Sequence, residues 1–228
     1  MNLFILSLIP TEAAEAYMDK HVNKILLEAV QMLCTAMHVL VSDTPIKGQL
    51  YKQAHLNHPV SIWVRTSRDN FIWTLDLVEA LHEEWRFRYG HPETKFHRSY
   101  DVAQLLRHNV PRDDLFPCPR AGLTPFALAM PDEYKARSGN AVESYKAYYM
   151  SPEKQRIATW KKNRTAPEWY AHSQSQSHSG SETQPKQPKQ PKQLKQSKQL
   201  KQSKQPKQPK QPKQPKQSKQ STTRTKNK

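Results

Sequence analysis

The stretch from Asp19 to Glu28 places an imidazole, an amine and a carboxylate at intervals that suit a helix. His21, Lys24 and Glu28 follow one another at spacings of three and four residues, so in a helix their side chains share one side. Groups of these types carry out proton transfer and imine chemistry in enzymes. We therefore take Asp19, His21, Lys24 and Glu28 as candidate catalytic residues. The same spacing is also typical of a surface ion pair without a catalytic role, because Lys and Glu four residues apart often pair on exposed helix faces.

Further groups of polar residues could bind a substrate beside these candidates. A pair of histidines lies at positions 55 and 58, and a polar loop follows the Arg88-Tyr-Gly90 triplet. Between them, Trp63 could stack on an extruded nucleobase, although a tryptophan here is equally typical of a helical core. The candidate substrate-binding residues are His55, His58, Trp63, Arg65, Ser67, Asn70, Lys95 and His97.

Neither a metal site nor a cofactor is predicted. His55 and His58 are three residues apart, but no second pair of ligands at the usual zinc spacing accompanies them. The chain has only five glycines and no glycine-rich phosphate loop. Its two cysteines, Cys34 and Cys118, do not make a disulfide framework, so we expect an intracellular, reducing compartment.

The elements that must position these residues are helices. Apolar residues recur at helical spacing from about Thr11 to Leu40, which predicts one long helix whose inner face packs on a core. The segment from residue 2 to 8 is apolar and is expected to thread into that core. Further helices are predicted from Pro59, from Ser67 to Tyr89 with a stop at Gly90, and over about 100–108, 140–150 and 152–162. The predicted fold is mainly α: a compact helical bundle with long ordered loops.

A change of composition divides the chain into a globular helical domain, 1–171, and a disordered tail, 172–228. The tail contains no aromatic residue and only two aliphatic ones, so it cannot build a core. It carries fourteen Lys, one Arg and one Glu, a net charge of +14 out of +16 for the whole chain. From Lys186 to Lys219 a lysine recurs every third residue. In polyproline II these lysines would align about 9 Å apart.

Such a basic segment predicts a polyanionic partner, with nucleic acid, and DNA in particular, favoured. A tail that only improves solubility is the alternative. No stretch of the sequence is long and apolar enough for a membrane span, so no membrane partner is expected.

Several motifs of the domain resemble a family of proteins from phages and large DNA viruses. The resemblance covers nearly all of residues 1–170. Its motifs are Met1-Asn2 with an apolar run, Asp19-Lys-His-Val-x-Lys-x-x-x-Glu28, Asn57-His-Pro, Trp63 with Ser67 and Asn70, Arg88-Tyr-Gly90, Leu123-Thr-Pro-Phe-Ala127, Met130-Pro-Asp-Glu-Tyr134 and Ala166-Pro-Glu-Trp169.

That family is in turn distantly similar to the pyrimidine-dimer DNA glycosylases of the phage endonuclease V type. Asp19, His21 and Glu28 match the spacing of an Asp-x-His pair followed by a catalytic Glu in those enzymes. The resemblance implies that an amine attacks the deoxyribose C1′, a Schiff base forms, and Glu28 assists ring opening and strand scission. His21 would lie near a phosphate. The amine would be that of Met1 or of Lys24.

These observations predict a DNA-acting enzyme of the glycosylase/AP-lyase type, in viral DNA repair or base modification. A non-catalytic nucleic-acid-binding or packaging protein, with the tail as the active part, is one alternative. An enzyme that acts on a free nucleotide or modified base in the same polar pocket is another.

Overall fold

The computed structural model describes residues 1–161 and 164–171, and within them the fold is helical, with no β-strand. The helices are α1 (Pro10–Ala16), α2 (Asp19–Leu40), α3 (Pro59–Val64), α4 (Arg68–Tyr89), α5 (Arg98–His108), α6 (Ala141–Tyr149) and α7 (Pro152–Gln155). Short 3-10 turns lie at Lys47–Gln49, Asp113–Leu115 and Asp132–Tyr134. The mainly α prediction is confirmed, whereas the predicted tail lies outside the described residues.

The core forms where α2 and α4, the two longest helices, pack against each other. Helix α1 packs on α4, while α3 and α5 pack on α2. The predicted insertion of the N-terminal segment is confirmed, because Leu3, Phe4, Ile5 and Leu6 are all buried. Cys34 is also buried, as expected for a small apolar residue of α2. No helix in the described ranges is both long and apolar enough to span a membrane.

The prediction of one helix over residues 11–40 is wrong, because the chain leaves the helical conformation at Tyr17 and Met18. Long-range hydrogen bonds occupy the backbone at this break. The buried Arg88 donates from Nη1 to the carbonyl of Tyr17 (2.6 Å) and from Nη2 to that of Glu15 (2.9 Å). The Met18 amide donates to the hydroxyl of Tyr149 (3.1 Å). These partners replace the intrahelical bonds that a continuous helix would make.

The helix expected over 152–162 is also shorter than predicted, since α7 ends at Gln155. The chain beyond it crosses the break between α1 and α2. There the Thr159 carbonyl accepts a hydrogen bond from the Asp19 amide (2.8 Å), and the Trp160 indole donates to the Ala16 carbonyl (3.2 Å). Backbone groups committed to these contacts cannot continue the helix.

The helix boundaries with strong local signals agree with prediction. The Ser67 hydroxyl accepts a hydrogen bond from the Asn70 amide (3.2 Å) and caps α4, and Gly90 ends that helix in the left-handed conformation (φ 60°). Pro59 occupies the first turn of α3. These features position the ends of α3 and α4, and with them the loops that carry several candidate site residues.

Candidate functional site

The N-terminal amine and the carboxylate of Glu28 meet on the outer side of α2. The Met1 nitrogen lies 3.7 Å from Glu28 Oε2, and the same oxygen accepts a hydrogen bond from the Asn2 amide (3.1 Å). Lys24 Nζ approaches the other oxygen, Oε1, at 3.6 Å. The Glu28 side chain is only 14% exposed, whereas that of Lys24 is 64% exposed. One partly buried carboxylate is therefore flanked by two amines.

Asn2 holds the N-terminus in this place. Its side-chain amide donates to the Ala129 carbonyl (2.7 Å), and its Oδ1 accepts from the Leu3 amide (2.9 Å) and the Tyr145 hydroxyl (3.0 Å). Asn2 is 8% exposed and Leu3 is fully buried, so the chain enters the core immediately after the residue that carries the amine. The amine consequently has little freedom to move away from Glu28.

His58 is a further ionisable group whose charge is coupled to this pair. It is the N-cap of α3, and its Nδ1 accepts a hydrogen bond from the Val60 amide (3.3 Å). Burial lowers the pKa of His58, the positive charges of the N-terminal amine and of His55 lower it further, and Glu28 opposes them. A neutral imidazole there could accept or relay a proton.

The expectation that His21 shares one polar surface with Lys24 and Glu28 is wrong. His21 is 4% exposed, stacks on Phe4 with ring centroids 4.5 Å apart, and bonds through Nδ1 to the Tyr149 hydroxyl (2.7 Å). Burial, together with the charges of Lys154 and Lys24, lowers its pKa to about 3. It is a neutral core residue in this fold, since Phe4 and Tyr149 cover it.

The Asp19 carboxylate makes its hydrogen bonds at the break between α1 and α2. Its Oδ1 accepts from Arg88 Nη1 (3.1 Å) and from the Lys161 amide (3.3 Å). Arg88 also pairs with the buried Glu84, which accepts two hydrogen bonds from Arg164. Asp19 thus belongs to a buried ionic network that stabilises the helix break, and its contacts are to groups other than Glu28.

Three predicted binding residues contact the loop around residues 122–126 and hold it in place. Asn70 Nδ2 donates to the Trp63 carbonyl (2.8 Å) and to Thr124 Oγ1 (2.7 Å), and its Oδ1 accepts from the Thr124 amide (2.9 Å). Ser67 donates to the Gly122 carbonyl (2.8 Å). Trp63 is 5% exposed and stacks on Phe126 at 4.8 Å. These side chains use their polar groups within the protein, and the ring of Trp63 is part of the core, which agrees with the second of the two readings of this tryptophan.

The other predicted binding residues lie at the surface. Arg65 donates to the Leu56 carbonyl (2.8 Å) at the base of the loop that carries His55 and His58. His55 is exposed with a positive φ of 49°. Lys95 is exposed in the loop before α5.

His97 lies in that same loop and joins it to α2. Its Nε2 is 3.0 Å from Asn23 Oδ1, one residue before Lys24. The loop before α5 therefore contacts α2 at Asn23, which lies about 140° around the helix from Glu28.

Sequence patterns missed the residues that anchor this site. Tyr145 of α6 orients Asn2, and the buried Ser61 of α3 approaches the Met1 sulfur, with Oγ and Sδ 3.8 Å apart. Both residues come from elements distant in sequence, and no local spacing links them to Glu28. In the described part of the chain, no three His, Cys, Asp or Glu side chains are grouped so that they could hold a metal ion.

Comparison of the chain with family models, with curated proteins and with solved structures finds no match.

Proposed function

We propose that this protein is a DNA-acting enzyme of the glycosylase/AP-lyase type, with the Met1 amine as nucleophile and Glu28 as acid and base. The observation that carries the proposal is the 3.7 Å approach of the amine to Glu28 Oε2, with Asn2 anchored immediately behind it. An amine beside a carboxylate is the pair that imine formation needs. Of the residues that resemble the pyrimidine-dimer glycosylases, Glu28 is the one in this site, whereas Asp19 and His21 make the buried contacts described above.

In the proposed reaction the nitrogen lone pair of Met1 attacks C1′ of the deoxyribose. The bond from C1′ to the base breaks, and the base leaves with a proton. Glu28 accepts a proton from the attached amine and passes it to the ring oxygen as the sugar opens, which leaves the protonated Schiff base and a free Glu28 carboxylate. Removal of a C2′ proton by the Glu28 carboxylate eliminates the 3′ phosphate, so one strand is cut.

The α-amine is a better candidate than Lys24 because it is held in place. The lysine side chain is 64% exposed, whereas the Met1 side chain is 3% exposed and the next residue, Asn2, is hydrogen-bonded to Glu28 and Ala129. A fixed nucleophile avoids the entropic cost of positioning.

Borohydride trapping on a duplex oligonucleotide with one abasic site tests this proposal. The full chain should form a covalent complex, and peptide mass spectrometry should locate the reduced adduct on the α-amine of Met1. Glu28→Gln should lower the trapping rate by about 100-fold or more, the usual range for losing an acid or base. Glu133→Gln, at an exposed carboxylate of the Asp132–Tyr134 turn, is the matched control and should react like the wild type.

Two further variants separate the amines. One glycine added before Met1 moves the α-amine by about 3.8 Å and should abolish trapping, whereas Lys24→Met should retain it. If the added glycine leaves trapping intact and Lys24→Met abolishes it, Lys24 is the nucleophile. No covalent complex with the wild-type chain would refute the enzyme proposal.

The charge of residues 172–228 favours one alternative, a non-catalytic nucleic-acid-binding protein. That segment carries +14 of the chain's +16. If it supplies the function, replacing its lysines by glutamine in the full chain should remove DNA binding and its steep salt dependence, and no variant should be trapped by borohydride.

A further inference from the structure

A groove where α1 meets α4 combines exposed apolar side chains with acidic ones. Its volume is about 640 Å³, and Ile9, Pro10, Ala80 and Phe87 supply its apolar lining. Ile9 is 52% exposed and Phe87 is 46% exposed, so two large apolar side chains of the groove face solvent. We call it the α1–α4 groove. Apolar side chains that share one depression, with polar residues around them, are typical of a binding surface.

The charged side chains of the α1–α4 groove are mainly carboxylates. They are those of Glu15, Asp76, Glu79, Glu83 and Glu84. Arg164 is the only cation among the described residues that line the groove, and it pairs with the buried Glu84 (2.7 Å) and with Glu15 (3.1 Å). The groove therefore has a negative charge, which favours a cationic partner.

Three of these carboxylates follow one another along α4. Asp76, Glu79 and Glu83 are separated by three and four residues, a spacing that places them on one face of the helix. Asp76 and Glu83 each pair with one arginine, yet their side chains remain 45% and 54% exposed. Glu79 accepts hydrogen bonds from two neutral donors, which do not compensate its charge. The face can therefore accept further cations from solvent.

We propose that the α1–α4 groove binds the lysine repeat of residues 185–220 from a second copy of this chain. From Lys186 to Lys219 every third residue is a lysine, and the residue before it is Pro in seven cases, Leu in two and Ser in three. Each triplet thus brings a cation next to a residue that is in most cases apolar, which is the pairing that the groove offers. This contact goes beyond the proposed enzyme activity and does not depend on it.

The spacing of the repeat suits the spacing of the carboxylates. In polyproline II, three residues make one turn and advance about 9 Å, so successive lysines lie along one edge and the preceding Pro and Leu residues along another. Asp76 and Glu83 are seven residues apart on α4, a rise of about 10.5 Å. Flexible lysine side chains can take up the difference. Proline-rich peptides bind in this conformation to grooves lined by aromatic side chains, and Phe87 and Ile9 supply the apolar contact here.

The second copy is the occupant because every copy of the chain carries both the groove and the repeat. A carbodiimide, which joins a carboxylate to an amine through an amide bond, tests this on an equal mixture of isotope-labelled and unlabelled full chains. Trypsin releases the α4 carboxylates in the peptide of residues 69–86. We expect this peptide to be joined to lysines of residues 186–219, and about half of the crosslinks to combine a labelled with an unlabelled chain.

Variants of the rim test the charges. By sedimentation of the full chain, Asp76→Asn with Glu83→Gln should weaken self-association by about fivefold, the effect of losing two exposed ion pairs. Asp132→Asn with Glu133→Gln is the control, because it makes the same change of charge in an exposed turn. It should associate like the wild type.

A variant of the apolar lining leaves every carboxylate in place. Ile9→Ala should lower the crosslink yield of peptide 69–86 by about threefold, because apolar area that the repeat covers is lost. Ile62→Ala is the matched control, since Ile62 is 44% exposed on α3 and is not among the lining residues. An unchanged yield with Ile9→Ala would mean that charge alone attracts the repeat, and would reject the groove as its site.

Two other results would overturn the proposal. Crosslinks that combine only like-labelled chains would place the repeat on its own copy and reject the second copy as the occupant. Equal self-association of the rim variant and its control would show that the α4 carboxylates bind no partner. Neither measurement involves DNA, so both outcomes are independent of borohydride trapping and leave the enzyme proposal to its own test.

Discussion

Acidification from pH 7.5 to 5 should lower the free energy of unfolding by about 2 kcal/mol through His21 alone. His21 is 4% exposed, and burial lowers its pKa from 6.5 to about 3. The hydrogen bonds agree with a neutral ring. The Tyr149 hydroxyl accepts from the Met18 amide (3.1 Å) and can donate its own proton to His21 Nδ1 (2.7 Å). If Nδ1 were protonated, it and the Met18 amide would both donate to that hydroxyl, and the hydroxyl could no longer donate its own proton to His21.

The sign follows from the lowered pKa. Above pH 6.5 the imidazole is neutral in both the folded and the unfolded chain, so its contribution to stability is complete. Between pH 6.5 and 3 only the unfolded chain gains the proton, and each pH unit costs about 1.4 kcal/mol. At pH 5 this amounts to about 1.5 units, or about 2 kcal/mol.

Urea unfolding followed by tryptophan fluorescence at pH 7.5 and pH 5 measures the effect. Other groups also titrate, so the quantity to compare is the change in unfolding free energy between the two pH values. That change should be about 2 kcal/mol smaller for His21→Asn than for the wild type. His108→Gln is the control, because solvent surrounds this exposed ring in both states. Equal changes for the wild type and His21→Asn would show that the interior tolerates a charged His21, and would refute the reasoning.

Three further variants test the contacts that shape the fold, each by urea unfolding against the wild type. Arg88→Met should cost about 3–5 kcal/mol, because Glu84 keeps Arg164 but the buried carbonyls of Glu15 and Tyr17 and the Asp19 carboxylate lose their Arg88 donor; a loss below 1 kcal/mol would contradict this. Asn70→Asp should cost about 1–3 kcal/mol, because a carboxylate cannot donate to Thr124 Oγ1, and hydrogen exchange should rise in residues 122–124 while α6 is unchanged. Gly90→Ala should cost about 1 kcal/mol for the left-handed conformation alone, since a Cβ there meets no described atom within 4 Å; no loss would mean that the turn adapts.

Much of the helical fold could be predicted from the sequence because its signals are local. Ser67 caps α4 with its own side chain, Gly90 has the positive φ that ends a helix, and Pro59 suits a first helical turn. Apolar spacing likewise identified the buried face of α2. These signals operate within one or two turns of the chain, so they need no knowledge of what packs beside them.

The candidate site could be predicted only in part, for the same reason. The spacing of Lys24 and Glu28 placed both on one face of α2, and the structure keeps them together at 3.6 Å. The same spacing placed His21 on that face, yet Phe4 and Tyr149 cover it. Periodicity describes a helix by itself, and it does not say which part of a polar face a later element will cover.

Only the tertiary structure decided where the chain breaks and what meets Glu28. The break at Tyr17 exists because Arg88 and Tyr149, both more than 70 residues away, supply hydrogen bonds to its backbone. The Met1 amine lies at Glu28 because Asn2 bonds to the Ala129 carbonyl across 127 residues. The sequence by itself determined the helix ends that carry a local signal, such as both ends of α4, since those depend on near neighbours. The reactive pair depends on hydrogen bonds between distant segments, which form only when the core brings those segments together.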